Sequence, residues 1–238
     1  MKTVLHKANT RGHANHGWLD AHHTFSFADY YHTDRMNFGV LRVLNDDRIA
    51  AGKGFGTHPH SDMEIITIPL SGALQHKDNM GNSTVIQAGE IQVMSAGTGV
   101  LHSEFNPNMD KEVNLLQIWV FPNKKGVEPR YDQISIQDIE THKGLKLILS
   151  PNAEDAGVWI HQNAWFHLGE FDRQTEETYT FKDAGNGLYV FVIEGEVFIK
   201  DYELKKRDGL GISETNHVDL KFGANSKVLL MEVPMFDI

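Results

Sequence analysis

An all-β fold is predicted by three features of this 238-residue sequence: short apolar or alternating runs recur along most of it, helix signals are scarce, and one strand pattern occurs twice. Residues 38–43, 63–70, 90–94, 115–121 and 145–149 are such runs, punctuated by Gly, Asn and Asp. Between two runs, Asp78-Asn79-Met80-Gly81-Asn82 supplies the Gly and Asn that positive φ requires, so a hairpin is expected there. Helix candidates are limited to residues 135–140, enough for a turn or two, and 109–112, too short to matter.

Residues 122–131 carry prolines, a glycine and several charges, which suits a connection between two packed units. A faint internal repeat agrees. Ile66-Thr67-Ile68-Pro69-Leu70-Ser71-Gly72 resembles Tyr189-Val190-Phe191-Val192-Ile193-Glu194-Gly195, and each is followed by a Gly-led strand, Gly89-Glu90-Ile91-Gln92-Val93-Met94 and Gly209-Leu210-Gly211-Ile212. Two copies of one β unit are expected, at residues 1–130 and 131–238.

The composition is that of a globular protein, with 40% hydrophobic and 23% charged residues, so disorder is not expected. A formal charge of −10 disfavours direct binding to nucleic acid or anionic membranes. With no cysteine, disulfides, thiolate ligands and a cysteine nucleophile are excluded. No apolar run approaches the roughly 20 residues of a membrane span, and a cytoplasmic protein is expected.

The chemistry concentrates in Gly52-Lys53-Gly54-Phe55-Gly56-Thr57-His58-Pro59-His60 and, farther on, His102-Ser103-Glu104. In a strand, residues i and i+2 share a face, so His58 and His60 offer two imidazoles to one ion, and His102 with Glu104 repeats the geometry. Three nitrogens and a carboxylate suit a first-row transition metal: iron, manganese, nickel, copper, cobalt or zinc. The Gly-rich lead lets the backbone turn tightly, and Gly97-Thr98-Gly99 precedes the third histidine. Glu64 shares strand parity with 58 and 60, so either glutamate can complete the set on spacing alone. In the second copy the offsets of His58 and His60 from the strand-ending glycine land on Phe181 and Asp183, so that unit has no histidine pair, and His217 is read as a structural or surface residue.

These residues carry a resemblance. Gly52, His58, His60, Glu64, Gly72, Gly89, Gly99 and His102 resemble the paired motifs of the cupin superfamily, small β-barrels with a metal in the mouth. Thr57-His58-Pro59-His60-Ser61-Asp62-Met63-Glu64, Met94-Ser95-Ala96-Gly97-Thr98-Gly99 and His102-Ser103-Glu104 resemble the pirin family more specifically. Arg11-Gly12-His13-Ala14-Asn15-His16-Gly17-Trp18 and Thr24-Phe25-Ser26-Phe27-Ala28 are similar to bacterial pirins. The resemblance implies a bicupin with one metal, usually Fe(II), in the N-terminal barrel, held by His58, His60, His102 and Glu104. Glu64 then becomes a pocket or supporting residue, and the C-terminal barrel is degenerate.

It also implies quercetin 2,3-dioxygenase chemistry: a flavonol's 3-hydroxyl meets the metal, Glu104 acts as ligand and general base, dioxygen is co-substrate, and the ring opens with loss of carbon monoxide. The rival implied role is a redox-sensing, metal-bound protein that modulates a transcription factor or metabolic enzyme. The expected partners are a small aromatic substrate and dioxygen, with a protein partner in the rival reading; a monomer or weak dimer is expected. Phe38 and Phe55 flank the motif and are candidate pocket walls. His76, at the end of the strand leading from Glu64, is a candidate support for the ligands. The remaining N-terminal aromatics are read as core, the N-terminal histidines as polar surface or strand-pairing residues, and residues 172–177 as a solvated turn.

Overall fold

The structure, a computed structural model, describes residues 1–142 and 144–235. It is built from four antiparallel sheets, apart from one short parallel pair. In the first half, a seven-stranded sheet runs in the order Arg130–Ser135, Glu90–Ser95, Glu64–Ser71, Val113–Val120, Leu41–Ile49, Leu19–His23, Gly12–Asn15. Its partner has four strands: Gly54–His60, Val100–Phe105, Ala73–Asp78 and Ser83–Gln87. The second half repeats the scheme with Lys2–His6, Gly209–Ser213, Asn186–Glu194, Ser226–Pro234, Trp165–Phe171, Leu145–Ser150 and Val158–Trp159. Its four-stranded sheet is Thr175–Thr180, His217–Phe222, Glu196–Ile199 and Tyr202–Lys205. Among the described residues the only helices are 3-10 turns, Ala8–Thr10 and Ile136–Asp138. The expected hairpin joins Ala73–Asp78 to Ser83–Gln87, with Gly81 at φ 100° and the Asp78 carboxylate accepting from the Met80 and Asn82 amides.

Two strands cross the line expected between the halves. Arg130–Ser135 spans residues 130 and 131 and pairs with Glu90–Ser95, while Lys2–His6 pairs with Gly209–Ser213. We propose that the barrels divide after residue 135 and that the first strand is contributed to the second barrel.

Strand alternation decides what each barrel contains. In Asn186–Glu194, Leu188, Val190 and Val192 fill the second barrel together with Leu210, Leu220 and Leu230, whereas Tyr189, Phe191 and Ile193 face the core between the two large sheets. In Val113–Val120 the outward set Leu116, Ile118 and Val120 joins that same shared core. The inward set is Leu115, Gln117 and Trp119. Both faces of these central strands are buried, which is why they read as nearly continuous apolar runs. The second barrel is therefore packed with apolar side chains. The first carries a buried polar layer, including Asn45, Asp47, Thr67, His76, Gln92, His102 and Glu104, between small apolar clusters around Leu74 and Met94.

Buried histidines away from this layer tie stability to pH. His6 Nδ1 and the Tyr189 hydroxyl share a 2.8 Å hydrogen bond, and burial, then Arg35 and His32, bring the His6 pKa from 6.5 to about 4. Burial and Lys182 do the same to His167, also to about 4. Between those values the unfolded chain binds more protons than the folded one, so stability is complete above 6.5 and is lost as pH falls toward 4. The unfolding midpoint of metal-free protein is expected to drop progressively across that interval; a flat profile would contradict these burials.

Candidate metal centre

Gly54–His60 and Val100–Phe105 run antiparallel with Val100 opposite His60 and His102 opposite His58. A bulge between His102 and Glu104 then shifts the register, so Glu104 lies opposite Phe55. A Cβ at position 54 would collide with the Glu104 carbonyl and with Phe105, so this approach of the two strands requires glycine. The ligand-type nitrogens of His58, His60 and His102 all lie within 4.8 Å of one another.

The tautomers follow from the hydrogen bonds. His58 Nδ1–H donates to the Gly56 carbonyl at 2.8 Å, which leaves a lone pair on Nε2. On the other side, His76 Nε2 is 3.0 Å from the Asp78 carboxylate and His76 Nδ1 is 3.4 Å from His102 Nδ1. If Asp78 accepts from His76, the bare Nδ1 of His76 accepts from His102 Nδ1–H, and His102 Nε2 also carries a lone pair. The two Nε2 atoms are 2.9 Å apart. Lone pairs that close repel unless a cation lies against both, so the donor set fits a metal ion. Burial first, and neighbouring imidazoles second, lower His60 to about 4 and His102 to about 3, which keeps both in the neutral form that binds metals.

Glu104 is buried, and Gln117 Nε2 donates to both its oxygens at 3.2 Å. Burial pushes its carboxyl up from the usual range against the pull of His76, Gln117 and His58. It clusters with His76 and His102, and the three-imidazole group shares His102 with this second cluster. His76 and Asp78 have fully buried side chains, and Asn82 Nδ2 holds the Asp78 carboxylate at 2.7 Å.

A cavity of about 210 Å³ opens on these groups, walled by Phe27, Phe55, Ile65 and Trp119, with Asn45, Asp47 and Gln117 on its polar side. Two of the candidate pocket residues lie outside this lining. Glu64 does not line it; the Ser95 hydroxyl donates to Glu64 at 2.7 Å, and Ile65 takes the cavity position. Strand parity cannot run from 58 to 64, because Asp62 at φ 47° breaks the extension and the flanking strands belong to different sheets. Phe38 likewise packs on Tyr189, with ring centroids 5.4 Å apart, in the core between the barrels. Asp47, Gln117 and Trp119 carry no expectation from sequence, Asp78 is expected there only as part of a turn, and Phe27, expected in the core, lines the cavity. The available signal was a polar residue inside an otherwise apolar strand, as at Gln117 and in Asn45-Asp46-Asp47.

Larger hollows of about 570 and 530 Å³ lie on the second barrel, but none of the convergent ligand groups among the described residues falls there. Phe181 packs against that barrel's apolar filling, the Asp183 amide donates to Glu232, and His217 is exposed. On the edge hairpin, His13 bonds Asp20 at 2.6 Å and stacks on His22 with centroids 4.5 Å apart.

Comparison with known proteins places this arrangement. Residues 4–120 match the family model described as Pirin, and residues 147–233 the one described as Quercetinase C-terminal cupin domain. A quercetin 2,3-dioxygenase of Escherichia coli (strain K12) is 44% identical over 230 residues, which cover 97% of this chain and 98% of the relative. The chain belongs to the pirin family. A pirin-like protein of Caulobacter vibrioides is 36% identical over 221 residues, 93% of this pirin and 95% of that protein. The crystal structure of YhhW from Escherichia coli superposes with a TM-score of 0.93 at 42% identity and covers 100% of both chains. A second structure, of the bacterial pirin YhhW in complex with nickel(II), gives 0.92 at 42% identity over 99% of this chain and 100% of that one. The expected bicupin architecture is thus present, and the histidine-rich site is of a kind that holds a divalent metal. Among the described residues no helix is long and apolar enough to cross a membrane.

Proposed function

We propose that this pirin is a metal-dependent dioxygenase that opens the ring of a flavonol, in the manner of quercetin 2,3-dioxygenase. The observation that carries the reading is the meeting of three convergent imidazoles, a buried carboxyl and an aromatic-walled cavity at one end of one barrel. His58, His60, His102 and Glu104 would hold the ion, and Fe(II) is the ion proposed; nickel, manganese, copper, cobalt and zinc suit the same donors. When bound, such an ion supplies Lewis acidity toward a substrate hydroxyl. Glu104 takes the proton from that hydroxyl, and Gln117 holds the carboxylate in place for the transfer. Phe27, Phe55 and Trp119 bind the planar ring and exclude water. The cavity of about 210 Å³ encloses the reacting portion of the flavonol and leaves the remainder at the mouth.

The name of the 44% identical relative supports the activity, and the YhhW–nickel(II) complex supports the metal. Protein loaded with iron, nickel or copper and given quercetin is expected to consume oxygen as the flavonol absorbance falls. No turnover with any of these ions would refute the proposal.

Asp78 and His76 support His102 from behind, and because the Met80 and Asn82 amides hold the other Asp78 oxygen, Asp78→Asn turns an NH2 donor toward His76 in place of the acceptor that sets the His102 tautomer. Metal affinity, measured by competition with a chelator, is expected to weaken about 10- to 100-fold. An unchanged affinity would show that the relay does not orient His102.

A further inference from the structure

Two residues that line the cavity each carry a buried polar atom with no hydrogen-bond partner: Asp47 Oδ1, an acceptor site, and Trp119 Nε1, a donor. Asn45 and Gln117, on the same wall, are engaged. Asn45 Oδ1 bonds His23 at 2.9 Å, and Gln117 bonds both Glu104 and Thr67. Asp47 is only 5% exposed. Its neighbours in sequence do not rescue it, because Asp46 points to the opposite side of the strand, toward Arg11 and Arg207. Trp119 is held edge-on by Phe27 at 5.3 Å and by His60 at 4.9 Å, contacts that fix the indole plane and leave Nε1 without an acceptor.

Buried polar groups in folded proteins are normally paired, and leaving one open costs stability. An unpaired acceptor and an unpaired donor on two residues of one cavity wall, beside the metal-type ligands, suit a ligand that brings the opposite groups. We propose that Asp47 and Trp119 contact the substrate and select polyhydroxylated flavonols: Asp47 receives a hydroxyl other than the one that meets Glu104, and the Trp119 indole N–H donates to a ring or carbonyl oxygen. This rests on the flavonol reading above and narrows it. A carboxyl offers hydrogen-bonding capacity to a hydroxyl in either protonation state, so the contact does not depend on how Asp47 titrates.

The test is calorimetric binding to nickel-loaded protein under nitrogen, with quercetin and with 3-hydroxyflavone, which lacks the additional hydroxyls. Wild type is expected to bind quercetin at least about tenfold more tightly, since a site built to bond a hydroxyl rejects the analogue without it. Asp47→Ala narrows that gap to about threefold or less by weakening quercetin alone, whereas Trp119→Phe weakens both ligands about equally. Because Asp47 Oδ1 is not bonded in the free protein, Asp47→Ala is expected to keep wild-type metal content and an unfolding midpoint no lower than wild type. A preference that survives Asp47→Ala, an absent preference in wild type, or a lowered midpoint in Asp47→Ala would overturn the inference. Selective binding without oxygen uptake would leave the selection standing and remove the dioxygenase reading; uptake without selective binding would do the reverse.

Discussion

Glu104→Gln is expected to lower flavonol turnover by roughly 100- to 10,000-fold, the usual worth of a positioned general base. Glutamine keeps the shape of the side chain and can still bond Gln117, but it cannot take up the substrate's proton. His58→Ala acts differently. It removes one of three nitrogens that converge within 4.8 Å, so bound metal and turnover are lost together. Elemental analysis of each purified variant alongside oxygen uptake separates the two effects. Turnover by Glu104→Gln close to that of wild type would remove the base from the mechanism, and full metal content in His58→Ala would remove that histidine from the site.

Asp46→Ala is the substitution expected to cost most in stability. The Asp46 carboxylate lies 3.0 Å from Arg207 Nε and 3.3 Å from Arg11 Nη1, and it accepts from Asn114 Nδ2 at 2.9 Å. Arg207 also donates to the Ile193 carbonyl and to Asn114, so this cluster ties the second barrel to the first. Burial pushes the Asp46 carboxyl up, but the two arginines and Asn114 outweigh it and hold its pKa below the usual value. Removing the carboxylate leaves two nearly buried guanidinium groups without their counter-charge, a loss of about 3–5 kcal/mol. For a chain of this size that corresponds to a fall of about 10 °C in the unfolding midpoint. The neighbouring Asp47→Ala, which breaks no bond of Oδ1, serves as the control. A fall no greater than that of the control would mean that the arginines find other partners.

Some of this protein follows from local rules. The strands and the Asp78–Asn82 turn come from a period of two and from residues that accept positive φ, both properties of a few consecutive residues. The pirin motifs are equally local, and they identify the family without any knowledge of packing. Residues farther apart behaved differently. Parity carries His58 and His60 on one strand, but it fails at Glu64, because Asp62 breaks the extension and sends the next strand into another sheet. Phe38 stands near the motif in sequence and packs against Tyr189 of the other barrel.

The amino-acid sequence by itself thus determined the fold class, the family and the residue types able to hold a metal, because each is written in short-range pattern. Only the tertiary structure decided that His76 and Asp78 stand behind His102, that Ile65 rather than Glu64 faces the cavity, and that Asp47 and Trp119 are left without partners beside it. Whether a buried polar atom is satisfied depends on groups that arrive from distant strands. That information arises when the sheets close around the first barrel's polar layer.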